Sequence, residues 1–568
     1  MSITKNRAGW RGLLGCFAVA ALLAGTRCTA ALDRNTAQCH TNDDCAARFP
    51  GRAHPLCKDT VCIPSPYEPQ NCFLATPSQP PQTEEDFLNQ CTTTYIGLGV
   101  DPNSIGGAAQ ECLSFDCQRA GSCTDGGVDA EPPLMPPPDA GTMAAPGPAP
   151  GQGPDAGAGK PTVSCATAVA GQALYMTGSS NFPPLLQKLT PFIQSLGLTP
   201  IFKTTDSCTG ATSMNRDPTR PGGYVAAHTI KDPDAGTTGV YAQYYDDKGI
   251  GHPCTLAPSG NDVDVGESEI SVDTCKASFD DSVVRQFSGP ILPMLFVVPK
   301  LSMERSISAE AARLIFGNGG MLPSGLLGPN GQPSISPWSN PNLYFIRGAG
   351  TATARLIGLA IDAPVPPGFW GIDQGQADKL ASNLALVGDL SQAQGAIGIL
   401  GEDYFDQNRD KLKVLAFKAR NQVCAYNPDT NSNLPTDPKD RINVRDGHYP
   451  IWGTLRFFAA LQGGSLLSAA ANVLLGSLTD NGMLPQALLD AYIAAGWVPD
   501  CAMKVQREKD LGPVTSYIAP HPCGCYFDAK VNGGLVPTGS TCVACVGNTG
   551  CPAAGTGCSY GYCEVFPP

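Results

Sequence analysis

The chain has 568 residues, 42% of them hydrophobic, and a formal net charge of −13. This length exceeds that of one ordinary domain, and an acidic chain has no overall field that would attract nucleic acid or an anionic membrane. Any site for an anion must therefore be local. The chain also has 24 cysteines, which indicate a disulfide framework formed in an oxidising compartment.

The N-terminus has the pattern of an export signal. A basic region precedes the apolar stretch 13–24, which is too short to span a bilayer well. Residues 1–30 are therefore predicted to be a signal peptide, and no later stretch has the character of a transmembrane helix. Cys28 is a candidate site for a lipid anchor. The predicted location is therefore the periplasm, the cell surface or the extracellular space, with or without lipid at Cys28.

Cysteine clusters mark both ends of the exported chain. Residues 31–123 and 504–568 are Cys-rich, and each is predicted to be held together by disulfides because it can bury little apolar surface. The disulfide candidates are Cys39, Cys45, Cys57, Cys62, Cys545, Cys551, Cys558 and Cys563. Their connectivity does not follow from the spacing. The pairs in "CGC" and "CVAC" have zinc-like spacing, but export favours disulfides over a metal site.

The stretch between the N-terminal cysteines and the main domain is predicted to be a linker. Residues 124–162 are rich in proline, glycine and alanine and have no apolar periodicity. From 163 to 503, short apolar runs alternate with amphipathic segments, which is the pattern of an α/β domain. In chain order the predicted strands are "ALYM", "PIF", "VDVG", "ILPMLFVV", "LYFI", "GAIGIL" and "KVLAF".

Helices are predicted between these strands. They follow "SSNFPP", Ser308 and "GAGT", and two more are predicted at "GTLRFFAAL" and "PQALLDAYIAAG". Several strands therefore end in loops of Thr, Ser, Gly and Asn from which a helix begins. Ligands of open α/β sheets bind at the carboxyl ends of strands, and helix N-termini offer free N–H groups to anions. The loop "TGSSN", which ends the first strand, is thus a candidate anion site.

Six stretches, in this order, resemble the phosphate-binding substrate-binding proteins of bacterial ABC importers. They are "TGSSNFPPLL", "VDVGESEIS", "ISAEAARLIFGNGG" with "PWS", "FIRGAGTATARL", "GAIGILGEDYF" and "DGHYPIWGTLRFF". In that family the second stretch reads D-x-G-A-S-D. The resemblance covers roughly 173–460. It implies the type II periplasmic-binding-protein fold, in which two α/β lobes joined by two crossing segments close on a ligand.

The resemblance also implies a set of ligand-binding residues. They are Ser179, Ser180, Asn181, Phe182, Ser207, Glu269, Arg347, Gly350 and Thr351. Two positions depart from the family pattern: Glu269 stands in place of an Asp, and Ala349 in place of a ligand-binding Ser. Losing one hydrogen bond to a charged ligand weakens binding by about ten- to a hundredfold. From the residues alone, Arg347 could also be a surface residue that ends a strand.

Two functions remain open at this stage. The first is an exported solute-binding protein that captures phosphate or a similar oxyanion in an interlobe cleft and delivers it to an ABC permease. The alternative is a cell-surface interaction or scaffold protein with a degenerate binding fold, whose Cys-rich ends and insert 228–254 contact other proteins. Neither reading calls for a cofactor or a metal, and no P-loop, dinucleotide fingerprint or catalytic constellation indicates an enzyme.

Overall fold

The computed structural model describes residues 56–58, 61–63 and 160–567, apart from gaps at 235–238, 279, 321–336, 364, 366–367, 421, 423–424, 479–482, 537–541, 548–549 and 552–555. The chain divides into two compact units, Met1–Gln70 and Asn71–Pro568. In the first, β1 (Leu56–Lys58) and β2 (Val61–Ile63) form an antiparallel pair. The predicted signal peptide, Cys39 and Cys45 lie outside the described residues, as do the side chains of Cys57 and Cys62 and nearly all of the linker.

Strands dominate the second unit. In chain order they are β3 (Gln172–Gly178), β4 (Leu198–Thr204), β5 (Thr229–Ile230), β6 (Ala242–Tyr245), β7 (Gly251–Cys254), β8 (Asn261–Asp262), β9 (Val265–Ser268), β10 (Val284–Pro299), β11 (Ser306–Ser308), β12 (Tyr344–Ile346), β13 (Ile372–Asp373), β14 (Ile397–Gly401), β15 (Leu412–Val414), β16 (Ala416–Lys418), β17 (Trp452–Gln462), β18 (Ser465–Leu466), β19 (Val505–Gln506), β20 (Thr515–Ser516), β21 (Thr556–Ser559) and β22 (Tyr562–Val565). The strands predicted in the α/β domain are all present, although "KVLAF" is divided between β15 and β16.

The helices are short and lie between the strands. They are α1 (Cys165–Ala168), α2 (Phe182–Ser195), α3 (Ser207–Thr212), α4 (Ala309–Ala312), α5 (Ala352–Ala360), α6 (Ala377–Ala385), α7 (Leu390–Gly395), α8 (Glu402–Asp406), α9 (Ile442–Arg445), α10 (Ala469–Ser477), α11 (Gln486–Ala494) and α12 (Gly524–Val531). The helices predicted after "SSN", Ser308 and "GAGT" are confirmed as α2, α4 and α5. The Ser308 hydroxyl caps α4 by accepting a hydrogen bond from the Ala311 amide, as its position before the helix predicts.

One hydrogen-bonded sheet runs through both halves of the domain, in the order β13-β12-β14-β10-β17-β9-β3-β4-β6-β7. The first part of β10 pairs with β17, and its second part pairs with β14. We call β3, β4, β6, β7 and β9 the first lobe, and β12 to β15 the second lobe. The two long strands β10 and β17 join these lobes, so the α/β, two-lobed architecture that the resemblance implied is confirmed.

The central strands of each lobe run parallel. In the first lobe, β3 is parallel to both β4 and β9, and in the second lobe β12 is parallel to β13 and β14. Most of their apolar residues are buried, as in other parallel strands covered by helices, apart from Ile372 of the edge strand β13, which is 49% exposed. Because parallel strands end on the same edge, the polar loops that follow β3, β4 and β9 lie together, and so do those that follow β12 and β14.

The helix predicted at "GTLRFFAAL" is wrong, because this stretch is strand β17. Every residue of β17 except Thr454 and Gln462 is buried. A strand buried on both faces has no alternation of polar and apolar residues, so its sequence cannot be told from a buried helix by periodicity.

Six disulfides lie in the described part of the chain. They join Cys165 to Cys254, Cys208 to Cys275, Cys501 to Cys523, Cys525 to Cys542, Cys545 to Cys558, and Cys551 to Cys563. The cysteines of "CGC" and "CVAC" are all used in these bonds, which are typical of proteins that fold in an oxidising compartment.

The insert 228–254 contributes β6 and β7, which extend the first lobe beside β4. Among the described residues, no helix has both the length and the apolar character needed to cross a membrane.

A buried cluster of charged side chains fixes helix α8. Arg441 is fully buried, and its Nη1 lies 2.7 Å from Glu402 Oε1 and 2.7 Å from Asp429 Oδ1. Arg409 donates to the other Asp429 oxygen at 2.6 Å. Asp406, at the end of α8, pairs with both arginines. These bonds hold the helix that directly follows β14, and thereby position Asp403 on the same helix.

We predict that Arg441→Met lowers the free energy of unfolding by about 3–5 kcal/mol, because it leaves buried carboxylates without their countercharge. Urea denaturation of the oxidised full chain at neutral pH measures this loss. Arg313→Met is the matched control, because Arg313 pairs with Asp362 at the exposed surface. We expect no measurable change for the control. Equal midpoints for the two variants would contradict a structural role for the cluster.

Candidate oxyanion site between the lobes

The loop after β3 buries three polar side chains. Ser179, Ser180 and Asn181 are each at least 95% buried, although they are small and hydrophilic. The turn requires glycine at position 178, because a Cβ there would lie 2.2 Å from the Glu267 carbonyl oxygen. The Ser179 hydroxyl accepts a hydrogen bond from the Asn181 amide at 3.1 Å. The loop is therefore tightly packed and presents its polar groups toward the second lobe.

Helix α2 adds few backbone donors to this loop. Phe182 begins the helix, and its amide already donates to the Ser179 carbonyl. Pro183 and Pro184 follow and have no N–H group. The Phe182 ring is fully buried against Phe202 and Phe457, so this side chain belongs to the core. The first turn of α2 therefore has few N–H groups to offer an anion at this loop.

The loops after β4 and β9 meet at a buried carboxyl group. Ser207, the first residue of α3, donates to Glu269 Oε2 at 3.1 Å. Its hydroxyl oxygen also accepts from the Ala352 amide of the second lobe at 2.8 Å. Glu267 and Glu269 are both fully buried. The acidic stretch around Glu269 is therefore not a solvated surface loop.

The second lobe contributes Arg347 directly after β12. Its side chain is only 2% exposed, so it is not a surface residue. Nη2 donates to the Ser180 hydroxyl at 2.5 Å and to the Gly375 carbonyl at 3.3 Å. Among the described residues, Nε and Nη1 have no hydrogen-bond partner. Arginine stays charged in proteins, so a cation with free donors lies between the two lobes.

The loop from Ala349 to Thr351 forms a direct contact between the lobes. The Gly350 carbonyl accepts from the Cys208 amide at 3.1 Å, and a Cβ at Gly350 would lie 2.6 Å from Asp206 Oδ1. The Thr351 hydroxyl is used within its own loop, where it caps α5 and donates to the Gly348 carbonyl. Gly350 and Thr351 therefore shape the closed contact, while their polar side-chain atoms are already used or absent.

Two acidic side chains of the site were not among the sequence-predicted residues. Glu267 lies in β9, two residues before Glu269, and Asp403 is the second residue of α8 and 2% exposed. A Cβ at Gly401 would lie 2.7 Å from Asp403 Oδ1 and 3.4 Å from Asn181 Oδ1, so Asp403 and Asn181 flank the same glycine. The signal that points to Asp403 is its position directly after a buried strand, "IGILGEDYF".

Buried polar atoms without a partner concentrate at this edge of the sheet. Within the described residues they are Asn181 Oδ1, both carboxyl oxygens of Glu267, Glu269 Oε1, Nε and Nη1 of Arg347, and both carboxyl oxygens of Asp403. Leaving such groups unpaired costs about 1–3 kcal/mol each, and more for charged groups. A set of this size on facing strand ends indicates a polar ligand site.

Burial controls the charge of the three carboxyl groups. It raises the pKa of Glu267 well above its usual value, and the nearby charge of Glu269 adds to the rise. It also raises the pKa of Asp403 well above the usual range, although the Tyr404 amide partly offsets this. The pKa of Glu269 is raised by burial, against the effect of hydrogen bonds from Ser179 and Ser207. All three groups are thus biased toward the neutral acid.

Comparison with known proteins finds solved structures that are similar at low identity and low TM-score. No family model matches the chain, and no curated protein sequence matches it. A putative phosphate ABC transporter substrate-binding protein with bound phosphate from Clostridium perfringens is 9% identical, with a TM-score of 0.35 over 58% of this chain and 99% of the other. An ABC-type phosphate transport receptor from Vibrio cholerae is 10% identical, with a TM-score of 0.33 over 58% and 100%. A phosphate-binding protein from Stenotrophomonas maltophilia is 14% identical, with a TM-score of 0.32 over 58% and 90%. Similarity at this level carries no conclusion about a ligand or a function.

We predict that Glu267→Gln stabilises the protein at neutral pH but not in acid. The pKa of the Glu267 carboxyl is raised in the folded state, so the unfolded chain loses this proton first as the pH rises above about 4. The wild-type free energy of unfolding therefore falls with rising pH by a contribution that glutamine lacks. Denaturation from about pH 4 to about pH 8 should show the stability difference between variant and wild type growing with pH.

The control for this experiment is Glu310→Gln, because Glu310 is exposed in the first turn of α4. We expect its stability difference from the wild type to be small and not to grow with pH. A difference for Glu267→Gln that is constant across this range would show that the raised pKa is absent in solution.

Proposed function

We propose that the chain is an exported solute-binding protein that captures phosphate or a similar oxyanion between its two lobes. The observation that supports this most directly is the Arg347 guanidinium. It is buried against Ser180 of the opposite lobe, and two of its nitrogens have no partner within the part of the chain that the structure describes. An oxyanion placed there would pair with these donors, and charge-assisted hydrogen bonds of this kind are the strong ones.

The proposed ligand contacts come from the ends of four strands, β3, β4, β9 and β12. We assign them to the side chains of Ser179, Ser180, Asn181, Ser207, Glu269 and Arg347. Phe182, Gly350 and Thr351 support the site through packing and through the interlobe contact, and Ala349 offers no side-chain donor. A binding site made of side chains from both lobes favours a solute that is enclosed when the lobes come together.

Entry of the solute requires the lobes to separate. Hydrogen bonds that join them directly include Ala352 N to Ser207 Oγ at 2.8 Å, Cys208 N to Gly350 O at 3.1 Å and Tyr404 Oη to Ser180 O at 3.1 Å. The bonds of Arg347 to Ser180, of Asn181 Nδ2 to Thr353 Oγ1 at 3.3 Å and of Arg355 Nη1 to Thr274 O at 3.4 Å add to this contact. The chain connections between the lobes are β10 and β17, so bending of these strands is the proposed opening motion. The solute would replace part of the interlobe contact by its own hydrogen bonds.

The remaining parts of the chain are assigned by the sequence. We propose residues 1–30 as a signal peptide, 31–123 and 504–568 as disulfide-rich regions, 124–162 as a linker and 163–503 as the binding domain. The disulfides support export into an oxidising compartment. An ABC permease or cell-surface proteins are the proposed partners, and lipid attachment at Cys28 stays a prediction.

We predict saturable phosphate binding that depends on Arg347. Calorimetric titration of the full exported chain, freed of bound solute, should give a dissociation constant at or below about 1 μM for phosphate or arsenate. Arg347→Ala should weaken it by at least about ten- to a hundredfold, because a hydrogen-bonded charge is lost. Arg313→Ala, which removes an exposed arginine, should bind as the wild type does.

The absence of oxyanion binding would reject the proposed function. If millimolar phosphate, arsenate and sulfate give neither heat nor thermal stabilisation, the solute-binding proposal is wrong. The alternative, a scaffold that keeps the fold and uses its disulfide-rich ends for contacts, would then stand. If Arg347→Ala binds as tightly as the wild type, the solute lies elsewhere in the protein.

A further inference from the structure

We infer that Glu267 and Asp403 select the charge of the solute, so that the site accepts a singly charged oxyanion and rejects a doubly charged one. This inference rests on the proposed function, since it concerns the same interlobe site. It assigns specificity to two residues that the family motif does not contain. In the motif D-x-G-A-S-D the position of Glu267 is an alanine, and the resemblance provides one carboxyl group, at Glu269.

The two added carboxyl groups approach the site from opposite lobes. Glu267 lies at the end of β9, and its carboxyl group packs against the α-carbon of Gly178, where the loop of Ser179 and Ser180 begins. Asp403 comes from α8 of the second lobe and lies beside Asn181. Both are at least 98% buried, and none of their four carboxyl oxygens makes a hydrogen bond of good geometry with a described residue, although the backbone N–H groups of Ser179 and Tyr404 lie close enough to lower the pKa of Glu267 and of Asp403 in part. Their free oxygens are therefore available to a bound solute.

The balance of charge in the site limits the charge of the anion that it can bind. Arg347 supplies one positive charge, and Glu267, Glu269 and Asp403 are three acidic groups. With all of them ionised the site would carry a net charge of +1 − 3 = −2 and would repel every anion, strongly so in a medium of low dielectric constant. With the carboxyl groups protonated, the single charge of Arg347 balances one negative charge on the solute. Each protonated carboxyl also gains an O–H donor for an oxyanion.

The electrostatic surroundings favour this neutral state. The ionisable side chains outside this set that act on the three carboxyl groups and on Arg347 are Asp373, Asp378, Tyr404 and Asp406. They come from β13, α6 and α8, and none of them adds a positive charge. Arg456 of β17 donates to the Glu269 carbonyl at 3.5 Å, but its guanidinium is paired with Asp510. Burial raises the pKa of both Glu267 and Asp403 well above the usual values, which agrees with the neutral form. Raising the pH must then add negative charge to the site and weaken anion binding.

The test uses solutes that do not titrate themselves. Hypophosphite keeps one negative charge and sulfate keeps two between about pH 5 and about pH 8.5, so any pH dependence comes from the protein. For the wild-type full chain, we expect the affinity for hypophosphite to fall more than about tenfold across this range. We expect sulfate to bind at least about tenfold more weakly than hypophosphite at about pH 5.

The variants identify the groups responsible. Glu267→Gln and Asp403→Asn should each reduce the fall in hypophosphite affinity, and the double variant should abolish most of it. The double variant should also narrow the gap between sulfate and hypophosphite at about pH 8.5. Glu310→Gln, on the exposed surface, should keep the wild-type profile. An unchanged profile in the double variant would overturn the inference.

Two further outcomes separate this inference from the proposed function. Phosphate binding that needs Arg347, combined with equal affinity for sulfate and hypophosphite, would overturn the charge selection and leave the solute-binding role intact. If no oxyanion binds at any pH, both fail. Should the double variant not fold, calorimetry in buffers of different ionisation enthalpy decides: the wild type should take up protons on binding hypophosphite at about pH 8.5, and no uptake would overturn the inference.

Discussion

The antiparallel pairing of β10 (Val284–Pro299) with β17 (Trp452–Gln462) is the constraint on which the two-lobed structure depends. β10 changes partner along its length: Pro293 is opposite Trp452 of β17, and the next residue, Met294, is opposite Gly401 at the end of β14. One strand thereby aligns the ends of strands in both lobes. Without this alignment, Arg347 and Ser180 would lie on unrelated edges of two separate sheets.

The same alignment explains why so many polar groups are buried in one place. Helix α8 directly follows β14, and its three acidic residues serve two purposes. Glu402 and Asp406 pair with Arg441, which anchors the helix, while Asp403 lies on the side of the interlobe site. An anchored helix can hold an unpaired carboxyl group in a buried position, because the bonds of its neighbours resist the local rearrangement that would expose it.

Local patterns in the sequence predicted the positions of most strands and helices, and the loop "TGSSN" was recognised because it joins a strand to a helix. The sequence could not show that "GTLRFFAAL" is a strand, because burial on both faces removes the polar–apolar alternation on which such predictions depend. Nor could it show that Asp403, although it follows a buried strand, lies with the distant residue Asn181 beside Gly401. Contacts of this kind are set by the pairing of strands that lie far apart in the chain.

The prolines of α2 and the carboxyl groups of the site together determine which groups are available to bind an anion there. Pro183 and Pro184 deprive the first turn of N–H donors that would suit any anion, whatever its charge. The site must instead use Arg347 and side chains whose own charge depends on pH. Backbone amides carry no charge that repels a second negative charge on an anion, whereas buried carboxyl groups do so once they are ionised. On the proposed charge selection, acidic side chains in place of backbone donors would exchange general affinity for anions for discrimination by charge.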